Sequence, residues 1–533
     1  MEAHWPPLIR ALTDPAVYPH PVEQVEVVET HISYVLLTGD YAYKIKKPLD
    51  LGFLNFSTRE KRRHACDEEL RINRRTAPDL YEAVVPLTGS PEAPVLAGEG
   101  EPFEYAVRMV QFDPDLRADR CLERGELDED HLAGLGRRVA ALHEAAAQPA
   151  EAKDYGTLAA VTATQRDNLE QLAAECETLG IGADRFRALA DWVEGVLTEE
   201  AGTLRQRREE GRIRECHGDL HLANMVLRGG ELLPFDAIEF DPGLRFTDGM
   251  ADVAFTWMDL RQRNRRDLGV HFLDAYLAVT GDYAGLRLLP FYTVYRALVR
   301  AKVAALQAGE MDDAEAAAQL RADGARYFAL AEAVAGEAEP MLVIARGVTG
   351  VGKSLASLPV LVRMGGVRVR SDVERKRLAG LAPEEESGST VGGGIYSPEL
   401  SERTYERLLA LARPALAAGF PVFLDATYLK AERREAARRL AAELGVPFAI
   451  LALEAPEPML RQWLRERAAE EGSVSEGDEA VLEKQLRSQE PLGPEEQPFA
   501  LTVDTSETLD FAALTADLRA TARVPEGRVR GEE

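Results

Sequence analysis

Cysteine is scarce: Cys66, Cys121, Cys176 and Cys216 are four residues in 533, and no two stand close together. That scatter argues against a disulfide-stapled scaffold and against paired-cysteine zinc or redox motifs; reduced thiols in a cytosolic protein are the expectation. Basic residues are outnumbered, 63 Lys and Arg against 90 Asp and Glu, for a formal net charge of −27. Such a surface repels nucleic-acid backbones and anionic membranes at long range, and otherwise suits high solubility or a salty habitat. Long apolar runs are absent, none nearing the roughly 18 residues that span a bilayer. The opening MEAHWPPLIRAL lacks a basic stretch followed by an apolar one, so a signal peptide is not expected. What remains is a cytoplasmic globular class, in a chain too long for a single hydrophobic core.

Three regions separate by pattern. Residues 1–112 mix strands with a helix: ISYVLL and YAYKIK are β-rich runs joined by the hairpin signal TGD, and FEYAVRMV is a further strand. Between them, STREKRRHACDEELRINRRTAPDL predicts a helix capped by Ser57 or Thr58 and stopping at Ala77–Pro78. Residues 113–335 are mainly helical, interrupted by MVLRGGELLPFDAIEF, where RGG makes a tight turn between short strands. EAVAGEAEP (332–340) is expected to be a linker. Over residues 336–522 the strands MLVIA, GVRVRS, PVFLDAT, FAILALE and ALTVD alternate with Ala/Arg/Glu-rich helices, which predicts a parallel sheet covered on both faces. Residues 523–533 are expected to be a disordered tail.

HGDLHLAN (217–224) places Asp219 and Asn224 five apart, the spacing of a catalytic loop that transfers phosphate. Such transfer needs a carboxylate near the acceptor hydroxyl, metal ligands beneath the phosphates and a cation upon them. Asp219 suits the first role; the Asn224 amide oxygen and Asp236 in LPFDAIEF offer hard oxygen to Mg²⁺. The region resembles the aminoglycoside phosphotransferase family, members of the protein-kinase-like fold. GRRVAALHEA is similar to that family's helix ending in Leu-His, and Asp248 and Asp252 are similar to its trailing aspartates, with a bracing role. The resemblance implies that Lys44 in YAYKIKKP grips the α- and β-phosphates, with Lys46 on the same strand face, and that Glu68 or Glu69 pairs with it. It also implies an adenine-binding hinge near Met109–Gln111. No glycine-rich loop precedes the lysine strand, where the turn is VETHIS. His217 fits a core histidine bracing the loop, His221 a surface residue or a substrate contact, and Cys216 buried packing.

GVTGVGKS (347–354) satisfies G-x-x-x-x-G-K-[ST] between a buried strand and a helix, the context this phosphate-binding motif requires. Backbone N–H groups of Gly347, Val348, Thr349, Gly350, Val351 and Gly352 would cradle a phosphate, Lys353 would bridge two phosphates and Ser354 would ligate Mg²⁺. Asp372 ends the second strand, where α/β sheets place their sites, and Arg375 follows one helical turn later. Asp372 suits a base that activates a hydroxyl, or alternatively a helix cap; Arg375 suits a clamp on an anion. Asp425 is a metal carboxylate candidate. Arg465 and Arg467 belong either to a lid over the nucleotide or to a solvated helix face, and Tyr396 either to a plain loop or to an acceptor pocket. This half resembles P-loop kinases of the polynucleotide-kinase, zeta-toxin and gluconate-kinase type.

The whole chain resembles bacterial fusions of an aminoglycoside-phosphotransferase-like domain with a P-loop kinase-like domain. The fold class expected is multidomain, a two-lobed protein-kinase-like α+β fold followed by an α/β domain with a parallel sheet. The resemblance implies an ATP- and Mg²⁺-dependent phosphotransferase with two nucleotide sites and small hydroxyl acceptors. One active kinase regulated by a nucleotide-sensing partner domain is the alternative, and a P-loop ATPase on a pseudokinase scaffold the third. Retention of Asp219, Asn224 and Asp236 together argues against the last. A membrane partner is not expected. Nucleic acid is disfavoured by charge, although a 5′-hydroxyl kinase remains a variant for the second half.

Overall fold

The computed structural model describes residues 5–50, 52, 54–150, 153–383, 385, 393–468 and 479–525. Internal contacts divide the chain into two compact units, Met1–Thr164 with Ala201–Asp259, and Gln165–Glu200 with Leu260–Glu533. The helices of the stretch 113–335 are therefore shared between the units.

In the first unit β1 (Glu26–Glu29), β2 (Ser33–Leu37), β3 (Tyr41–Lys46), β4 (Tyr81–Ser90), β5 (Ala93–Leu96) and β6 (Glu104–Val110) form an antiparallel sheet in the order β1-β2-β3-β6-β4-β5. Period-two alternation sends Tyr43 and Ile45 of β3 into a core with Ile9, Leu36 and Leu87, and leaves Lys44 and Lys46 on the opposite face. The helix Arg59–Asn73 is capped by Thr58, whose side chain accepts from the Lys61 N–H. It stops four residues before Ala77. Turns at Arg75, Thr76 and Ala77 fold back onto Ile72 and Asn73, and Pro78 disfavours helix in the residue before it.

The lower part of this unit carries β7 (Ile213–Glu215), β8 (Met225–Arg228), β9 (Glu231–Pro234) and β10 (Phe246–Asp248). β7 pairs with β10, and β8 with β9, all antiparallel. Gly229 and Gly230 join β8 to β9 with φ of 60° and 80°, the two positive values that a tight hairpin turn of this hand requires.

In the second unit β11 (Met341–Arg346), β12 (Val367–Arg370), β13 (Pro421–Asp425), β14 (Phe448–Glu454) and β15 (Ala500–Asp504) form an all-parallel sheet in the order β12-β13-β11-β14-β15. These are the five strands expected from sequence. Every residue of β11 is buried, as a central strand covered by helices on both faces must be. The helix Ala314–Gly336 runs into the segment expected as a linker, leaving only 337–340 to connect it to β11. Arg523 exchanges backbone hydrogen bonds with Phe448. Of the expected disordered tail, residues 526–533 lie outside the described residues. No described helix is long and apolar enough to cross a membrane.

Candidate active sites

The first site is assembled around the lysine face of β3. Lys44 Nζ lies 2.8 Å from Glu69 Oε1 and 2.5 Å from Asp236 Oδ1. Lys46 Nζ lies 2.5 Å from Glu69 Oε2 and also pairs with Glu239. The choice between Glu68 and Glu69 is thus settled: Glu69 is buried between both lysines, while Glu68 turns away to Arg71 (2.8 Å) and Arg245 (2.9 Å). Burial alone would raise the Glu69 carboxyl, but the two ammonium groups overcome it and hold the carboxyl at about 2. Burial pushes Glu239 the other way, upward. Three carboxylates against two ammoniums leave one negative charge in excess.

Asp236 adopts φ 59°, a left-handed conformation that aspartate tolerates better than most residues. Two groups from the upper lobe hold its backbone there. The Asp236 N–H donates to Tyr81 Oη (3.1 Å), and the Ala237 N–H donates to Asn73 Oδ1 (2.9 Å). Asn224 Nδ2 donates to Asp219 Oδ2 at 2.8 Å and to the Asp219 carbonyl at 3.1 Å, joining two of the residues expected at the site. His221 is buried against the Phe255 ring edge, with Nε2 3.4 Å from Asp219 Oδ2. It is therefore not a surface residue.

The loop itself hangs from Asp252, whose two oxygens accept the His217 and Gly218 N–H groups at 2.9 Å each. His143, the histidine that ends GRRVAALHEA, lies 3.2 Å from the same carboxylate. Burial would raise the Asp252 carboxyl, yet these hydrogen bonds and the nearby histidines bring it to about 2. Asp248 is equally structural, gripped by Arg207 at 2.6 and 2.7 Å. His217 is buried, its ring bonded to the Phe235 carbonyl, and burial lowers its pKa; it braces the loop. Cys216 is fully buried. At the expected hinge the Val110 and Gln111 N–H groups are already donated to Leu80 and Asp40, so neither is available to adenine. The turn replacing a glycine-rich loop is closed by Thr30, which bonds Ser33 through backbone and hydroxyl.

Sequence signals for Tyr81, Asn73 and Glu239 were weak. Glu239 alone had one: two lysines on one buried strand face call for more than a single carboxylate.

The second site lies at the carboxyl end of β11. The Gly347 N–H donates to the Thr427 carbonyl (3.1 Å), turning the loop away from the strand. A Cβ at Gly347 would stand 2.9 Å from the Leu453 carbonyl, so the close approach requires glycine. Gly352 adopts φ 81°, with nothing within 4 Å of where its Cβ would stand; this is the open cradle from which the helix Lys353–Met364 starts. Lys353 Nζ donates to the Val348 carbonyl at 2.8 Å.

Thr349 through Ser354 line a cavity of about 1100 Å³, together with Asp372, Arg375, Tyr396 and Asp425. Asp372 does not cap its helix, which starts at Ser371 with no side-chain cap. Its Oδ1 is 3.6 Å from Arg375 Nη1, and the Arg375 guanidinium lies over the Tyr396 ring at 4.9 Å. Tyr396 thus belongs to the cavity wall.

Asp425 accepts from Ser357 Oγ at 3.1 Å. Behind it stands Arg368, which sequence reasoning missed: Nη1 is 3.3 Å from Ser357 Oγ and 4.0 Å from Asp425. Asp274 grips the same guanidinium at 2.7 and 3.2 Å. Arg465 is not brought to the cavity; its guanidinium bonds Glu479 at 2.6 Å and its side chain is 69% exposed. The reason is its helix face, since the flanking Trp463 and Glu466 point to the cavity instead. The Arg467 side chain and residues 469–478 of the expected lid lie outside the described residues, as do 386–392 of the loop before Tyr396. Gln485, from the helix after the lid loop, was also missed; its Oε1 accepts the Thr349 N–H at 2.6 Å.

A family model described as an AAA domain matches residues 342–492. Over 427 residues the chain is 31% identical to uncharacterized protein Rv2004c of Mycobacterium tuberculosis (strain ATCC 25618 / H37Rv), covering 80% of this chain and 83% of that protein. The chain belongs to the same family as that protein. Uncharacterized protein Mb2027c of Mycobacterium bovis (strain ATCC BAA-935 / AF2122/97) matches with the same identity and coverage. Among solved structures, a choline/ethanolamine kinase family protein from Mesorhizobium loti aligns at TM-score 0.34 and 15% identity, covering 61% of this chain and 98% of that one. A sugar kinase from Janibacter sp. HTCC2649 aligns at TM-score 0.26 and 18% identity, covering 35% and 99%. The strand order and residue geometry described above identify the architecture directly: a protein-kinase-like two-lobed fold joined to a P-loop kinase-type domain.

Proposed function

We propose that this protein is a bifunctional phosphotransferase, with two ATP·Mg²⁺ sites that each transfer the γ-phosphate to a hydroxyl of a small-molecule acceptor. What supports this reading is that Lys44 meets Asp236 at 2.5 Å while Asn224 holds Asp219, and that Lys353, Asp372 and Asp425 line one cavity. At the first site Asp219 receives the proton of the acceptor hydroxyl, held in place by Asn224. Asn224 and Asp236 would hold Mg²⁺, to which their hard oxygens and the excess negative charge around Glu69 and Glu239 are suited. Lys44 would hold the phosphates. At the second site the loop amides and Lys353 would hold the phosphates, and Ser354 and Asp425 the metal. Asp372 takes the acceptor proton, and Arg375 faces the charge of the acceptor or transition state. When bound, Mg²⁺ supplies neutralisation of phosphate charge. The associated domain reading is 1–112 and 113–335 for the two lobes and 336–522 for the P-loop domain, in a cytoplasmic protein.

The test is γ-phosphate transfer by wild type, Asp219→Ala and Lys353→Ala, with ATP and pooled small hydroxyl metabolites, aminoglycosides and 5′-hydroxyl oligonucleotides. Loss of a different product in each variant supports two kinases. Loss of all turnover in Lys353→Ala, with Asp219→Ala unchanged, makes the first unit a sensing domain and overturns the reading.

A further inference from the structure

The P-loop cavity is more basic than the protein around it. Among the described residues six cationic side chains line it (Lys353, Arg370, Arg375, Lys430, Arg433 and Lys484) against the three carboxylates Asp372, Asp425 and Glu466, in a chain where acids outnumber bases 90 to 63. Lys353 belongs to the phosphate loop. Four of the others come from the β12–β13 side of the sheet, where Asp372 also stands, so they surround the proposed acceptor and not the phosphate chain.

Two of the four are held ready for a ligand. Arg375 is 9% exposed, and its Nε is a buried donor with no hydrogen-bond partner among the described residues. The nearest carboxylate, Asp372, is 3.6 Å away, beyond a good hydrogen bond. Leaving a buried charged donor unmet is costly, so such a group points to an acceptor that arrives with a ligand. The Tyr396 ring supports one face of the guanidinium, which leaves its in-plane N–H fork to engage an oxyanion. Arg433 repeats the stacking, without the unmet donor: its guanidinium lies 3.9 Å from the Tyr405 ring centroid and 3.7 Å, loosely, from Glu402. Tyr405 is itself fixed by a 2.9 Å hydrogen bond with Thr427 Oγ1, two residues beyond the proposed metal carboxylate Asp425.

We infer that the acceptor at the P-loop site is a small hydroxyl compound that also carries an oxyanion group (carboxylate, sulfate or phosphate), bound by Arg375 and Arg433. This rests on the reading of that site as a kinase and adds the class of its acceptor. The transfer itself conserves charge in the usual way: the acceptor hydroxyl loses its proton to Asp372, its oxygen bonds the γ-phosphorus, and ADP leaves. The cavity's volume suits a compound of metabolite size, and the net charge of −27 opposes a long polyanion.

The experiment uses the full chain saturated with Mg²⁺ and a non-hydrolysable ATP analogue, so that the phosphate loop is occupied. Inorganic phosphate, sulfate and acetate are then titrated by calorimetry into wild type, Arg375→Ala, Arg375→Lys and Arg433→Ala. The expected result is saturable binding of at least one oxyanion, weakened tenfold or more in both alanine variants and partly restored in Arg375→Lys. Analogue stoichiometry measured first in each variant, with Lys353→Ala as the protein lacking the P-loop site, reports that the site is folded. Oxyanion binding that is absent from the analogue-loaded protein, or equal in wild type and the alanine variants, overturns the inference while leaving the kinase reading intact. If wild type binds no more of the analogue than Lys353→Ala does, the kinase reading itself is overturned. A 5′-hydroxyl oligonucleotide that displaces the oxyanion at far lower concentration, with a steep salt dependence, replaces the small acceptor by nucleic acid.

Discussion

In the first unit two lysines are paired with three carboxylates, which leaves a negative excess; in the second, six cations among the described residues face a cavity bordered by three carboxylates. The first centre is built from side chains drawn from β3, the helix after it and a segment nearly 200 residues downstream. The second begins with eight consecutive residues whose backbone amides and glycine conformations would, on the proposed reading, do most of the holding. A site made of paired long side chains is also part of what keeps its fold together, because each buried charge relies on its partner. A site made of backbone is separable from stability, and its side chains are left for the ligand.

The strongest way to break the comparison is through chemistry. Asp219→Ala is expected to lower first-site transfer about 10²–10⁴-fold without touching the second, and Lys353→Ala to do the reverse; single-turnover assays of the two products measure this. If one variant abolishes both, the centres are not independent.

Stability separates them next. Glu69→Ala leaves Lys44 and Lys46 buried with one partner fewer, for an expected loss of about 3–5 kcal/mol. Lys353→Ala, at the partly exposed first position of its helix, should stay within about 0.5 kcal/mol. Denaturant midpoints of the first and second units would show the contrast, and a small effect of Glu69→Ala would remove it.

The second centre has one side-chain-built support, so Asp274→Asn is a sharper probe. Freeing Arg368 from its carboxylate should raise the Mg²⁺ concentration for half-maximal P-loop turnover by about tenfold, the low end for residues that orient a metal ligand. First-site turnover should not change. Acid provides a further test. Glu215 is raised by burial but held at about 2 by Arg71 and Arg245 hydrogen bonds and by Arg75. Because its folded value is depressed, the stability it contributes is complete above the ordinary value of about 4.3. That contribution is lost as pH falls from there towards about 2. Denaturant midpoints at pH 5, 3.5 and 2.5 should therefore fall less steeply in Glu215→Gln. The smallest effect is local: Thr58→Ala removes one helix cap and should cost about 1 kcal/mol.

The spacing from Asp219 to Asn224, the lysine strand, the P-loop and the five strands around it were legible in the sequence, because each is a local pattern. Strand alternation and loop geometry act between residues only a few positions apart, and they place Lys44 with Lys46, or Gly352 before Lys353, whatever the rest of the chain does. Asp372 and Arg375 share a helix face for the same reason.

Partner choice was not local. Glu68 and Glu69 point about 100° apart around their helix, and only the docking of that helix on β3 decides which one meets the lysines. Arg465 occupies the wrong face of its helix for the cavity, which no spacing could reveal. Glu239, Tyr81 and Asp274 stand 193, 155 and 94 residues from Lys46, Asp236 and Arg368, the partners they meet in the two centres. The sequence by itself determined the chemical parts and the elements that carry them; tertiary structure alone decided which charges are buried together, because burial is what makes one pairing indispensable and another a surface contact.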